Sequence, residues 1–274
     1  MGADLSLRLT ESTWVDGVLS ARLADNYQNF VYTAPSDLPR VRTFQREYLT
    51  SSRITMPLLQ ITHVSDWGGG HYTSVYGGML ESMYGGVGGE WLYRPWQKAF
   101  AVGVDVNRVK QRDFNQNFVF RDYAATTGHA TLYWDTGWND VQVKLSAGQY
   151  LAGDVGATLD VKRVFPNGVA IGAFATKTNV SVDQFGEGSF DKGIYLNIPF
   201  DVMLPRSVAG SANITWKPLT RDGGAMLSRA FSLFDLTQQR DSRAWKWTSE
   251  IAPPRRSAED LSFVRGEASR SLWN

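Results

Sequence analysis

Two carboxylates, Glu81 and Glu90, flank a glycine-rich run in LESMYGGVGGEWLYRP, and Arg94 follows four residues later. As a pair they suit glycoside cleavage, in which one carboxyl group protonates the leaving oxygen and a second, at a set separation, attacks or activates water. The structural alternative is that carboxylates on otherwise apolar strands face a polar interior and take a basic partner there. Gly85, Gly86, Gly88 and Gly89 can cradle an anion, but glycine in strands more often marks a bend or a close approach in a curved sheet. Two Arg-Asp pairs stand out, Arg112-Asp113 in VKQRDF and Arg221-Asp222 in PLTRDGG. Adjacent strand residues point to opposite faces, so each pair splits its charges unless it sits in a turn. Gly223-Gly224 argues for a turn beside the second, and both pairs are expected at strand ends or turns. The functional reading is a polar lumen or rim, formed by Glu81, Glu90, Arg94, Arg112, Asp113, Arg221 and Asp222. There a sugar polymer or partner protein would find hydrogen bonds, and Tyr and Trp faces on which to stack.

Other chemistry has weaker support. The phosphate-loop pattern, H-E-x-x-H and G-x-S-x-G are all missing, which lowers the expectation of an enzyme. His63 and His71 in HVSDWGGGHY, with Asp66 between them, could offer two or three metal ligands on a loop. No further ligand is evident, so they are read as loop or interface histidines, and no metal or cofactor is expected. Lys plus Arg number 28 against 27 Asp plus Glu, a balance that gives no broad electrostatic reason to bind nucleic acid. The chain has no cysteine, so disulfides, thiolate metal sites and cysteine nucleophiles are excluded.

The elements that must position these residues read as strands. Leu5, Leu7 and Leu9 alternate with polar residues, and Asp16-Gly17 is expected to turn the chain into Leu19, Ala21 and Leu23. Phe100, Val102, Val104 and Val106 share one face of a strand whose other face carries Ala99, Ala101, Gly103, Asp105 and Asn107. Val141, Val143 and Leu145 alternate with Asp140, Gln142 and Lys144, and Ala157, Leu159 and Val161 with Thr158, Asp160 and Lys162. Pro166-Asn167-Gly168 then turns the chain into Val169, Ile171, Ala173 and Ala175. The sum is roughly a dozen strands of about 8 to 11 residues, the length a tilted transmembrane strand requires. Residues 26–48, with Pro35 and Pro39, read as a long loop with a short helix. The tail 248–274, containing Pro253-Pro254, reads as polar and irregular. The sheet is expected within residues 1–247.

Alternation has two meanings. A soluble sheet turns its apolar face inward, whereas an outer-membrane barrel turns it to lipid and its polar face to the lumen. The aromatics, with Trp 10, Tyr 11 and Phe 14, include Trp91, Tyr93, Trp96, Trp134 and Trp138 near strand ends. They suit interfacial girdles or an ordinary aromatic core. There is no apolar stretch of the roughly 18 residues that a spanning helix needs. The amino end lacks the charged start and apolar core of a secretory signal, as expected of a mature form or a fragment.

At several of these motifs the chain resembles the YjbH-like family of outer-membrane exopolysaccharide proteins, which includes the GfcD-like proteins of group 4 capsule systems. The matching stretches are SDLPRVR (36–42), LESMYGGVGGEWLYRP (80–95), VDVNRVKQRDF (104–114), FDKGIYLNIPFD (190–201) and PLTRDGGAML (218–227), in the family's order. The resemblance implies an all-β, antiparallel, up-and-down transmembrane β-barrel of roughly 12 strands in the outer membrane of a Gram-negative bacterium. It implies a lipoprotein family that helps to secrete or assemble an exopolysaccharide or capsule polymer, with no enzymatic activity. The partners implied are outer-membrane lipid, the polymer, periplasmic secretion proteins, and the upstream part of a longer protein of which this chain is the carboxyl-terminal portion. The alternatives are a glycan-modifying enzyme using Glu81 and Glu90, or a soluble β-rich glycan-binding module. Because the polar tail ends in Leu272-Trp273-Asn274, the closing strand is expected nearer Ala230 to Leu236. A barrel of about 12 strands lies between side-chain-filled and open sizes, so a narrow or plugged lumen is expected, with residues 26–48 as the candidate plug.

Overall fold

A computed structural model of the chain describes residues 2–31, 37–181, 190–205, 210–218 and 220–238. Twelve strands form one antiparallel sheet in which each strand pairs with the next in sequence. They are β1 (Gly2–Arg8), β2 (Thr13–Ala21), β3 (Ile54–Asp66), β4 (His71–Met79), β5 (Tyr84–Tyr93) and β6 (Phe100–Arg112). β7 (Phe120–Asp135), β8 (Val141–Gln149), β9 (Val155–Val164), β10 (Ala170–Thr178), β11 (Asp191–Pro199) and β12 (Ser211–Trp216) complete it. The up-and-down, all-β, twelve-stranded reading holds. Among the described residues no ladder joins β12 to β1. The tail 248–274 lies outside the described residues.

The alternation is inside out relative to a water-soluble sheet. In the middle of β5 and β6 apolar residues point outward, with Val87 62% and Val106 57% exposed, whereas Asn107 on the opposite face is 1% exposed; nearer the strand ends Tyr84, Leu92, Ala101 and Val109 are buried on the inward face. The inward face continues with Thr62, Ser74, Glu90, Asp105, Thr127, His129 and Ser146, all buried. The outward face continues with Ile61, Val75, Leu132, Leu145, Leu159 and Ile171, all exposed. The two faces expected for the strand at Phe100 are those observed in β6. Exposed aromatics line the edge where β3, β5 and β7 end: Trp67, Trp96 and Trp138 in the turns, with Trp91, Phe100 and Trp134 one step inside. Trp91, Trp96, Trp134 and Trp138 are exposed and not part of the core, whereas Tyr93 is half-buried and stacked on His71.

The sheet curls about its polar face. Arg42 donates from its side chain to Glu81 in the β4–β5 turn and from its backbone N–H to Asp222. Asp222 belongs to segment 220–238, which lies against Thr176 of β10 and Asp191 of β11 at Gly224. In a flat sheet β5 and β11 would stand about 29 Å apart at the usual interstrand spacing. Phe231 of the same segment reaches Trp14 of β2, with ring centroids 5.4 Å apart. One short segment thus touches strands from β2 to β11 because they surround it.

Three sequence expectations are corrected here. Asp16-Gly17 is not a turn: it lies within β2, and the chain reverses at residues 9–12, where the N–H groups of Leu9 and Thr10 both donate to Thr13 O. β-Branched Val15 and Val18 favour extended backbone, and the bare face of Gly17 leaves room for Leu59. Ala230 to Leu236 is not the closing strand. Its Ser232-x-x-Asp235 spacing instead nucleates a short helix, α3 (Leu233–Leu236), with Ser232 Oγ accepting from Asp235 N–H. The last described strand is β12. The helix expected within residues 26–48 begins late and overruns that window, as α1 (Gln45–Thr50), after a 3-10 turn at Tyr27–Asn29. A further short helix, α2 (Phe200–Met203), follows β11.

Candidate functional site: the lumen and its plug

The inner face is polar at its middle and apolar towards its ends, and inserted segments complete an apolar cluster at each end. Val41 and Tyr48, between β2 and β3, and Ala225 of segment 220–238 pack with Leu80, Met83, Tyr84, Val109 and Leu151 into one buried cluster. Leu233 of α3 joins Tyr72, Leu92, Ala101 and Tyr133 in a second. Of residues 26–48, expected to block the lumen, Val41 and Tyr48 pack against the inner face, Thr43 bonds to Asp222, and residues 32–36 lie outside the described residues. Segment 220–238 adds Ala225 and Leu233.

Polar contacts fix both inserts. Midway along β5, Glu90 stands directly across the ladder from Asp105 of β6, which in turn faces His129 of β7. Two buried carboxylates side by side need a cation. Arg229 provides it, with a guanidinium nitrogen 2.9 Å from Glu90 Oε2 and another 3.8 Å from Asp105 Oδ1. Burial works against the charge of Arg229, but Glu90 and Asp105 more than offset it and hold the guanidinium above its ordinary value. Glu90 Oε2 also accepts from Leu233 N–H at 3.0 Å, so one carboxylate holds the segment at two points. Beside it, Tyr76 donates to Asn107 Oδ1 at 2.6 Å.

A second knot lies at the edge where β2, β4, β6, β8 and β10 end. Arg42 grips Glu81 with both terminal nitrogens, at 2.6 and 3.1 Å, and Met226 O at 2.7 Å. Burial disfavours its charge too, and Glu81 more than compensates, raising Arg42 above its usual value. Glu81 Oε2 accepts in addition from Ser228 N–H at 2.9 Å, and Asp222 accepts from Thr43 N–H and from Thr43 Oγ at 2.9 and 2.6 Å. The two inserts are therefore tied to each other as well as to the wall.

The remaining candidate residues divide. Arg94 stacks on Phe234, 4.4 Å from the ring centroid, and donates to Phe234 O and Thr237 Oγ1, fastening α3 near the aromatic edge. Arg112, fully buried at the end of β6, donates to Met56 O, Glu81 O and Gln116 O at 2.6–2.9 Å, and Tyr48 donates to Arg112 O. It clamps backbone. Asp113 lies in the following turn, where Asn115 N–H and its side-chain amide hold the carboxylate below the usual range. Arg221 donates to Phe190 O at 2.7 Å. Arg112-Asp113 lies at the end of β6, as expected, whereas Arg221-Asp222 lies in an irregular stretch just before the turn at Gly223-Gly224.

Glu81 and Glu90 do not form an acid/base pair. Glu81 lies in the turn before Tyr84, and the rise from Tyr84 to Glu90 along β5 is about 20 Å, beyond the roughly 5–10 Å over which two carboxyl groups flank one glycosidic bond. Each is held by its own arginine. His63 is not on a loop: it lies in β3, paired with Thr13 Oγ1 at 2.8 Å, while His71 opens β4 and stacks on Tyr93. No group of three or more potential ligands is assembled among the described residues. Sequence reasoning missed Arg42, Asp105 and Arg229 as site residues.

A family model described as exopolysaccharide biosynthesis protein YbjH matches residues 1–239, the span of both sheet and plug. The chain belongs to the YjbH exopolysaccharide biosynthesis family. It is similar to the uncharacterized lipoprotein YjbH of Escherichia coli (strain K12), 47% identical over 241 residues that cover 85% of this chain and 34% of that protein. The chain thus spans about a third of the length of the curated relative it matches. No solved structure matches. Within the YjbH family match lie all seven candidate residues and the three that sequence reasoning missed.

Proposed function

We propose that this chain is a membrane-spanning β-barrel segment of the Gram-negative outer membrane, serving exopolysaccharide or capsule secretion or assembly without chemistry of its own. The observation that carries it is the inversion of the sheet, with apolar side chains outward and an ion-paired polar wall inward, as lipid outside and a lumen inside demand. The family supports the link to exopolysaccharide. Segment 220–238 and residues 37–50 are the plug, and Arg42 and Arg229 are its fastenings. Plugged, the barrel holds the membrane closed; its polar wall becomes a path only when the plug withdraws. The partners in this reading are outer-membrane lipid, the polymer, periplasmic secretion proteins and the remainder of the longer protein.

Membrane fractionation tests the setting, and deletion in a polymer-producing strain tests the role. The protein should sediment with outer membranes and resist high-salt washing, and its loss should lower exported polymer. Release by salt without detergent, or export at full level in the deletion strain, would overturn the proposal.

A further inference from the structure

The wall against which Arg229 docks carries a third titratable side chain that the fastening does not use. Glu90 of β5, Asp105 of β6 and His129 of β7 stand directly opposite one another in the ladder, a row of inward side chains on three adjacent strands. Such strands lie about 4.8 Å apart. All three residues are buried, and His129 Nε2 has no hydrogen-bond partner among the described residues. The Tyr150 ring meets the imidazole edge-on, with centroids 4.8 Å apart, and Gly148, next across the ladder on β8, brings no side chain. The other two histidines, His63 and His71, are exposed.

The charges around this row come from every element packed on it. Arg229 of the plug lies 2.9 Å from Glu90 and 3.8 Å from Asp105, and the Tyr76 hydroxyl of β4 is within hydrogen-bonding reach of the guanidinium. Asn107 of β6 donates to Asp105 Oδ2 at 2.7 Å. Asp235 of α3 and Tyr133 of β7 lie on the Glu90 side. Lys144 of β8 and Asp154 of the β8–β9 turn lie on the His129 side, and Asp154 accepts from Gly224 N–H at 2.8 Å.

With the plug docked, a proton on His129 would add a second cation to a dry row. Asp105, the carboxylate facing it, already serves Arg229 and Asn107. Burial and a like charge both oppose a charged imidazole. With segment 220–238 withdrawn, the guanidinium is gone, water reaches the row, and Asp105 faces His129 with no competing cation. Water and an adjacent carboxylate both favour the imidazolium. The undocked wall therefore binds the proton more tightly than the docked one, and falling pH draws the equilibrium toward the state that binds it.

We propose that His129 makes the plug a pH-sensitive closure. As the pH falls below the ordinary histidine value of about 6.5, the imidazole takes a proton, competes with Arg229 for Asp105, and releases segment 220–238. Neutral pH seats it again. This rests on the plug reading above and adds the signal that withdraws it.

Planar-bilayer recording of the whole chain at pH 7.5 and 5.5 tests it. One linked proton shifts the docking equilibrium by up to about tenfold per pH unit. Openings of the parent should be rare at pH 7.5, at least tenfold more frequent at pH 5.5, and rare again when neutral pH is restored. His129→Gln and His129→Asn, which cannot take the proton, should stay closed at both values. Arg229→Ala, with its plug already unfastened, should open at both, and a heat-modified gel shift of each variant reports folding. A parent as quiet at pH 5.5 as at 7.5, beside an Arg229→Ala protein that opens, would overturn the switch and leave the plug standing. An undiminished acid response in a folded His129→Gln or His129→Asn protein would overturn the role of His129. Silence of Arg229→Ala at both values would refute the plug, and the switch with it.

Discussion

Arg229→Ala removes the guanidinium that sits between Glu90 and Asp105, at 2.9 and 3.8 Å. What remains is two buried carboxylates directly opposite one another on β5 and β6, with the bond from Leu233 N–H as the other plug contact to Glu90. Removing one partner of a buried pair costs about 3–5 kcal/mol, and each 1.4 kcal/mol is about a tenfold change. The docked state of segment 220–238 should therefore lose about two to three and a half orders of magnitude against the undocked one. Limited chymotrypsin digestion reads this directly, because Phe231, Leu233 and Phe234 are shielded while the segment is docked. Planar-bilayer recording reads it functionally, as openings that the parent protein lacks. Replacing all three charges together, Arg229→Met with Glu90→Gln and Asp105→Asn, should recover most of the protection, since matched neutral packing often equals a buried ion pair. If Arg229→Ala stays as protected and as silent as the parent, the ion pair is not what holds the plug.

Val87→Arg places a charge on the outward face of β5; on lipid it should cost about 2–4 kcal/mol, measured as a lower denaturant midpoint in vesicles. A change within about 0.5 kcal/mol, usual for a water-facing site, would refute the lipid-facing assignment. Gly88→Leu drives a side chain into Tyr76 and Asn107, since even a Cβ there would lie 2.1 Å from Asn107 Oδ1 and 2.6 Å from the Tyr76 ring. Overpacking of this kind costs about 1–3 kcal/mol, and an unchanged heat-modification temperature would contradict the packing described. Glu81→Gln with Glu90→Gln, in a protein that still folds, should leave the sugar composition and linkages of the exported polymer unchanged. An altered linkage profile would mean that these carboxylates do chemistry.

The sheet was legible because its information is local. Alternation at Phe100 to Val106 and the turn at Pro166-Asn167-Gly168 depend on neighbours in sequence, and both are where they were expected. Which face looks outward was not legible, because period two is the same whether lipid or water lies beyond it. The plug was not legible for a different reason. Arg229 meets Glu90 139 positions away, and Arg42 meets Asp222 180 away, and no spacing rule spans such distances. A local signal did exist for α3, in the Ser232-x-x-Asp235 cap, but the apolar Phe231, Leu233 and Leu236 read more readily as strand. Asp105 was visible on the polar face of its strand, yet its importance comes from lying opposite Glu90, and that register exists only in the folded sheet.

Connectivity of this kind also fixes an order of assembly. Every ladder joins consecutive strands, most of them through short turns and β2 to β3 through residues 22–53, so the wall can grow hairpin by hairpin. Segment 220–238 has no binding surface until strands on both sides of it have come together, because its contacts run from Trp14 to Asp191. The curled sheet accordingly precedes the docking of the segment that fills it. On the secretion reading proposed above, each molecule would pass once, during its own biogenesis, through the unplugged form that secretion requires again.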